Sequence, residues 1–241
     1  SLLSPAAYPW ISVSTARDIT SIMKPVAESY QKILNQPLPP RLEAIRAKAA
    51  QQRNLVDQLN TITSELAAQV SYLGDWRTNA GKYIPRDLKT IADTQYGDCK
   101  DYSASTAAIL RKLGYAADIA LVHRSANYTR PGRNRVLPSD FNHAIVYFQD
   151  KKEGPSDASL RDYWIDPTNF VSFAQGMFRD IAGRPALVTR ADAPVLMETP
   201  RTRPEDGQVH VTKIVSIGKD NKRFIEGHLR LQGYSATGYT G

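Results

Sequence analysis

The stretch that decides the fold runs from residue 97 to residue 115 and reads GDCKDYSASTAAILRKLGY. Asp98 is a natural N-terminal helix cap, and Asp101 follows where a second carboxylate completes a capping box. The pattern predicts a helix that begins at Cys99 and ends at Gly114. Unpaired N–H groups and the helix dipole at its start favour a thiolate, although the charges of Asp98 and Asp101 oppose one.

Two later segments can bring a base to this thiol. Residues 141–149 (FNHAIVYFQ) and 162–166 (DYWID) read as buried strands, and the polar segment between them carries a Gly-Pro turn signal at 154–155. A hairpin centred on that turn would place His143 directly opposite Asp166. An imidazole and a carboxylate at that spacing can share a hydrogen bond, so the sequence predicts a His–Asp pair.

Cys99, His143 and Asp166 are the residue types that nucleophilic acyl transfer needs. The imidazole takes the thiol proton and later protonates the leaving group, while the carboxylate orients the imidazole. Each residue alone also has a structural interpretation: a small buried side chain, a hydrogen-bonded core histidine, or an aspartate that starts a turn.

Such a site also needs hydrogen-bond donors for the oxyanion that develops on the substrate. The backbone N–H of Cys99 is the expected first donor. The second is expected from the upstream segment, where Tyr83, Gln95 and Tyr96 are candidates and Gln95 is favoured. The sequence leaves this choice open.

Three segments, GDCKDYSASTAAILRKLGY, FNHAIVYF and YWIDPT, closely resemble the transglutaminase-like superfamily of papain-like fold. The resemblance is good from about Tyr83 to Thr168, and it is greatest to the bacterial branch in which this core follows a β-rich DUF3857 domain. It implies an α+β fold with a helix-borne cysteine packed on an antiparallel β-sheet. It also implies a triad of Cys99, His143 and Asp166, and a periplasmic or membrane-associated setting for the full-length protein.

The rest of the chain suggests three regions. Further elements are predicted as helices at 15–34, 41–53, 54–74 and 87–95, a strand at 115–123, and a hairpin of 209–217 and 223–233. We expect an N-terminal lead-in with helices that pack on the core (1–74), the transglutaminase-like catalytic core (75–200) and C-terminal β-strands (201–241). The last region reads as the possible start of a further domain, and the chain as a piece excised from a longer protein.

Composition narrows the class of protein. The 241 residues carry a net charge of +7, but both signs are spread along the chain, so charge does not indicate a nucleic-acid partner. No apolar run approaches the roughly 18 residues of a membrane span. Cys99 is the only cysteine, which excludes an intrachain disulfide and a multi-cysteine zinc site. The arginine-rich segment 124–139 is expected to be a solvated loop, or alternatively to steer an acidic substrate.

The favoured function is a cysteine hydrolase, a protease or amidase that cleaves peptide or isopeptide bonds of a protein or peptide substrate without a cofactor or metal. One alternative is a transglutaminase, in which an amine resolves the same acyl-enzyme. A second is a binding module that retains the triad. A mononuclear metal site of Cys99, His143 and Asp166, with His123 as a further ligand, is disfavoured because the usual zinc-ligand spacing is absent. The oligomeric state is left open.

Overall fold

The computed structural model of the protein describes residues 13, 15, 18–74, 83–126, 136–149, 161–169, 177–233 and 235. Within these residues the helices are α1 (Ile19–Leu34), α2 (Pro40–Ala50), α3 (Leu55–Gln69), α4 (Leu88–Thr94) and α5 (Cys99–Lys112). The strands are β1 (Ser71–Tyr72), β2 (Tyr96–Gly97), β3 (Ala116–Val122), β4 (His143–Gln149), β5 (Asp162–Ile165), β6 (Pro185–Val188), β7 (Val195–Glu198), β8 (Gly207–Ile217) and β9 (Arg223–Gly233).

Helices α1, α2 and α3 pack their apolar faces against α5. Helix α1 begins after Asp18, whose carboxylate accepts a hydrogen bond from the Ser21 N–H at 2.8 Å. Large side chains of the three helices are buried in one core with α5: Tyr30, Leu34, Leu42, Ile45, Leu59, Ile62 and Leu66. Each contributes about 1.5–3 kcal/mol through burial, so this packing fixes α5 against the N-terminal helices.

Helix α3 ends earlier than the apolar pattern predicts. The prediction of a helix over 54–74 was wrong after Gln69, where the chain becomes extended and forms β1. The Val70 carbonyl accepts a hydrogen bond from the Tyr102 hydroxyl, and β1 then pairs in parallel with β2. This pairing places Tyr72 opposite Gly97, two residues before the cysteine.

A five-stranded antiparallel sheet forms the other half of the core, with strand order β5-β4-β3-β6-β7. Strand β4 lies between two neighbours and is buried on both faces, as its sequence predicts. Ala144, Val146 and Phe148 belong to the cluster that includes α5, while Ile145 and Tyr147 belong to a second cluster on the other face. The predicted α+β architecture, a cysteine-bearing helix packed on an antiparallel sheet, is confirmed.

The register between β4 and β5 differs from the predicted one. Val146 pairs with Ile165 and Tyr147 with Trp164, so His143 is not directly opposite Asp166, and that prediction was wrong by two residues. The loop is therefore not symmetric about residues 154–155, which lie outside the described ranges. Because side chains alternate with a period of two, the shift leaves both residues on one face, as diagonal neighbours.

The predicted C-terminal hairpin is present. Strands β8 and β9 pair over their full length, and Gly218 closes the turn by donating its N–H to the Lys222 carbonyl at 2.8 Å. Nearly all of its side chains are exposed, including apolar ones such as Val211 and Ile225. The division of the chain at residues 74 and 200 stays a prediction. None of the helices in the described ranges is long and apolar enough to cross a membrane.

Candidate active site

Cys99 is the first residue of α5, as predicted. Asp98 caps the helix by accepting a hydrogen bond from the Lys100 N–H at 3.0 Å, and Asp101 accepts one from the Asp98 N–H at 3.1 Å. These contacts complete the capping box that the sequence predicts. The Cys99 side chain consequently lies in the first turn of α5, and the residue is 1% exposed.

Arg86 stabilises the start of α5 through contacts with Asp101 and Tyr96. Its guanidinium donates to Asp101 Oδ2 at 2.8 and 3.2 Å, and its backbone N–H donates to Oδ1 at 2.9 Å. The same guanidinium lies 4.5 Å from the centre of the Tyr96 ring, a cation–π contact. A Cβ atom added at Gly97 would lie 2.8 Å from the Cβ of Asp101, so only glycine fits there without a shift.

Lys100 and Asp98 form a buried ion pair beside the thiol, with side chains 4% and 5% exposed. Burial raises the pKa of Asp98, and the ammonium of Lys100 works against that rise. The Lys100 charge is therefore partly balanced within the pair. It therefore supplies less positive potential to the thiol than an unpaired lysine would.

His143 and Asp166 form the predicted pair, with Nε2 of the imidazole 2.8 Å from Oδ2 of the carboxylate. Burial works to lower the pKa of His143, but the charge and hydrogen bond of Asp166 outweigh it and raise that pKa to about 9. Burial likewise works to raise the pKa of Asp166, but His143 and Arg124 outweigh it and lower that pKa to about 2. Thr168 adds hydrogen bonds to Oδ1 from its N–H at 3.0 Å and its hydroxyl at 2.7 Å.

Cys99 lies near enough to His143 to raise the imidazole pKa as well. Because Nε2 faces Asp166, the ring nitrogen left for the thiol is Nδ1. The structure therefore brings all three predicted residues together, in the order thiol, imidazole, carboxylate. Cys99 begins α5, His143 begins β4, and Asp166 directly follows β5.

Arg124 belongs to the same cluster, and sequence reasoning missed it. Its side chain is one-third exposed and forms ion pairs with Asp166 and Asp180, so the expectation of a solvated loop was wrong at this residue. Residues 127–135 of that segment lie outside the described ranges. Its position in the sequence could have indicated this role. Arg124 follows β3 by two residues, and β3 ends with Val122, which pairs with His143.

Tyr72 is the second residue that sequence reasoning missed, because a helix was expected there. Its ring centre lies 5.9 Å from that of Tyr102, and it is 41% exposed. Burial raises the pKa of Tyr72 most, and the neighbouring Cys99, Asp98 and Asp166 raise it further. The hydroxyl consequently stays protonated at neutral pH, as a hydrogen-bond donor at the rim of the site.

Tyr83 and Tyr96, two of the candidate second oxyanion donors, each have a partner in the fold. The Tyr83 hydroxyl donates to the Pro138 carbonyl at 3.1 Å, and the Tyr96 ring packs on Arg86. Gln95 is exposed and ends α4 in the left-handed conformation, with φ of 57°. The assignment of Gln95 or Tyr83 as donor stays a prediction. No cluster of three or more His, Cys, Asp or Glu side chains suited to a metal ion occurs in the described ranges.

Comparison with known proteins gives a likeness of fold. No family model matches the chain, and no curated protein matches it significantly. A crystal structure from Parabacteroides distasonis ATCC 8503, described as a proposed protease, has a TM-score of 0.50 and 12% identity over 82% of this chain. The chain spans 38% of that protein. A structure described as a TGase has a TM-score of 0.37 and 15% identity over 69% of this chain and 37% of its own.

Proposed function

We propose that the protein is a cysteine-dependent acyl-transfer enzyme, and that it hydrolyses peptide or isopeptide bonds. The observation that carries the proposal is the buried His143–Asp166 pair, joined at 2.8 Å, beside a cysteine at the first turn of a capped helix. A structural histidine needs one satisfied hydrogen bond, whereas this one is polarised by the Asp166 carboxylate and also has its pKa raised by Cys99.

The mechanism follows from these contacts. His143 takes the proton from Sγ of Cys99, and the thiolate attacks the carbonyl carbon of the substrate to form a C–S bond. The backbone N–H of Cys99 is the proposed donor to the oxyanion. The imidazolium then gives its proton to the leaving nitrogen as the C–N bond breaks. Water, deprotonated by His143, attacks the thioester, and collapse of the second intermediate releases the acid and restores the thiol.

Asp166 sustains this cycle by holding the imidazole in one tautomer. Its Oδ2 accepts from Nε2–H, which leaves Nδ1 as the base for the thiol. The proposed substrates are proteins or peptides, in keeping with the family that the sequence resembles, and the proposed setting is the periplasm or the membrane periphery. A transglutaminase would use the same first half-reaction and differ only in the acceptor.

The pH dependence of Cys99 alkylation by iodoacetamide tests the proposal. We expect the thiol of the native protein to react at about pH 6, below the usual thiol pKa of about 8.5, and His143→Ala to slow that reaction at least about tenfold. His210→Ala, at an exposed histidine of the C-terminal hairpin, is the matched control and should react like the wild type. Equal rates in wild type and His143→Ala would sink the proposal.

Turnover then separates hydrolysis from transamidation. A peptide library is incubated with the protein, with and without a primary amine, and the products are identified by mass. Hydrolysis predicts free acids in both cases, whereas a transglutaminase predicts amides when the amine is present. Cys99→Ala should form neither product.

A further inference from the structure

The Asp166 carboxylate has more partners than a catalytic dyad requires. Oδ2 lies 2.8 Å from Nε2 of His143 and also 3.3 Å from Nη1 of Arg124. Oδ1 is occupied by the backbone N–H and hydroxyl of Thr168. The side chain is 1% exposed, and such burial favours the neutral acid unless positive charge compensates for the lost hydration.

The guanidinium of Arg124 is itself held in place on several sides. Its Nε donates to Asp180 Oδ2 at 2.7 Å, Nη1 donates to the Thr168 hydroxyl at 3.2 Å, and Nη2 donates to Asn169 Oδ1 at 3.3 Å. Because the guanidinium is a rigid planar fork, these contacts fix its position against Asp166. A lysine could not satisfy all of these acceptors at once.

The backbone of Arg124 is tied to the strand that carries the base. Its N–H donates to Asn142 Oδ1 at 2.6 Å, and its carbonyl accepts from Asn142 Nδ2 at 3.0 Å. Asn142 directly precedes His143. The two hydrogen bonds therefore hold the backbone of Arg124 beside the start of the strand that carries His143. Nη1 of Arg124 consequently lies 3.4 Å from Nε2 of His143, and both nitrogens face Oδ2 of Asp166.

We propose that Arg124 is a positioning residue of this site, which keeps the Asp166 carboxylate ionised and aligned when His143 is neutral. The inference rests on the proposed function and deepens it. After the imidazolium gives its proton to the leaving group, Asp166 loses one of its two positive neighbours. Arg124 remains, so the carboxylate continues to accept from Nε2–H and His143 keeps the tautomer that activates the water.

The surrounding charges are consistent with this role. Asp166 is faced by His143 from β4 and by Arg124, while Arg124 is faced by Asp166 and Asp180 and by the neutral phenol of Tyr72. Both carboxylates stabilise the charged guanidinium. Among the described residues close to Asp166, Arg124 is therefore the positive charge that does not change during the reaction.

The experiment is the same alkylation profile, measured in Arg124→Gln over a range from about pH 4 to pH 9. Without the guanidinium the Asp166 carboxylate loses one of the contacts that align it with Nε2–H, so it holds the imidazolium of His143 less strongly. The acidic limb of the profile should therefore move up by about one pH unit, and labelling on that limb, read at pH 5, should fall about tenfold. Arg111→Gln is the matched control. It removes an arginine whose Nη2 lies 2.7 Å from Asp118 Oδ1 away from the site, and it should leave the profile unchanged.

A double-mutant comparison shows whether the arginine acts through the carboxylate. In an Asp166→Asn background, Arg124→Gln should have almost no further effect on labelling at pH 5. If Arg124→Gln does not fold, Arg124→Lys replaces it, with an expected loss of about threefold at pH 5 because lysine makes fewer contacts.

The outcomes separate the two proposals. A profile that is unmoved in folded Arg124→Gln, even with a lower melting temperature, overturns the role of Arg124 while the proposed function stands. A profile that moves equally in Arg111→Gln, or a wild-type rate in Arg124→Lys, also overturns it. If wild-type labelling does not depend on His143, the proposed function itself fails.

Discussion

His143 is the residue on which the proposed chemistry depends most, because it is hydrogen-bonded to the Asp166 carboxylate and also interacts with Cys99. Its pKa of about 9 means that the imidazole is protonated near neutral pH while hydrogen-bonded to Asp166. Burial alone would have favoured the neutral ring. The charge on Asp166 decides the state of the ring, and Arg124 in turn helps to keep that charge.

The first prediction concerns stability against pH. The pKa of His143 is higher in the folded protein, about 9, than its ordinary value of 6.5. The pair therefore stabilises the fold fully below pH 6.5, and this contribution is lost as the pH rises through 9. Urea unfolding at pH 6, 7.5 and 9 should show the free energy of unfolding falling across this window. In His143→Gln the fall should be smaller; an identical slope would contradict the pKa shift.

Asp166→Asn is the second prediction at this scale. An amide keeps the shape but removes the charge, and it can present its NH₂ to Nε2, which favours the wrong imidazole tautomer. Alkylation at about pH 6 should slow at least about tenfold, and turnover should fall by about a hundredfold or more. Asp118→Asn, which removes the carboxylate that pairs with Arg111 away from the site, is the control and should retain most of both rates.

At the scale of elements, the parts predicted correctly are those that depend on neighbours in the chain. The start of α5 is set by Asp98 and Asp101, both within two residues of the cysteine, so local rules were sufficient. Strand β1 was missed because its two residues are stabilised by β2, about 25 positions away. The β4–β5 register was wrong because turn chemistry alone does not fix a long loop.

Arg124 was missed for the same physical reason. Its partners Asp166 and Asp180 lie 42 and 56 residues further along the chain, and nothing local marks it among the arginines of its segment. The triad could be proposed from residue types, since the chemistry demands them. The residues that support the triad are determined by contacts between distant parts of the chain, and these contacts can be seen only in the folded structure.

The third prediction tests the helix start. Gly97→Ala would force its Cβ to within 2.8 Å of the Asp101 Cβ, so the capping box and Arg86 must shift. We expect the free energy of unfolding to fall by about 1–3 kcal/mol and Cys99 alkylation to slow. Gly227→Ala is the matched control, because an added Cβ there meets nothing within 4 Å. A Gly97→Ala variant as stable as the control would contradict the crowding.

At the scale of the whole molecule, the helices and the five-stranded sheet share a continuous core, and the C-terminal hairpin contributes little to it. The side chains of β8 and β9 are almost all exposed, and the larger contacts of β8 are with β9 and the adjoining turn at Pro204–Asp206. A two-stranded hairpin is marginal by itself. The site depends on the core and not on the hairpin.

The fourth prediction follows from this arrangement. A chain that ends at residue 206, without the hairpin, should melt within about 3 °C of the full chain, because few buried apolar contacts are removed. Its alkylation profile should match that of the full chain. Circular dichroism melting and the labelling assay provide the measurements. Loss of the cooperative transition would show that the hairpin stabilises the core.

The nucleophile has a further use, since Cys99 is the only thiol of the chain and is 1% exposed. Every thiol-directed reagent therefore reports on one position, through whatever opening lies above it. A series of electrophiles of increasing size, from a small haloacetamide to a bulky maleimide, would probe how wide the access to Cys99 is. The largest reagent that still reacts would measure the cross-section of polypeptide that the proposed active site can admit, without any engineered label.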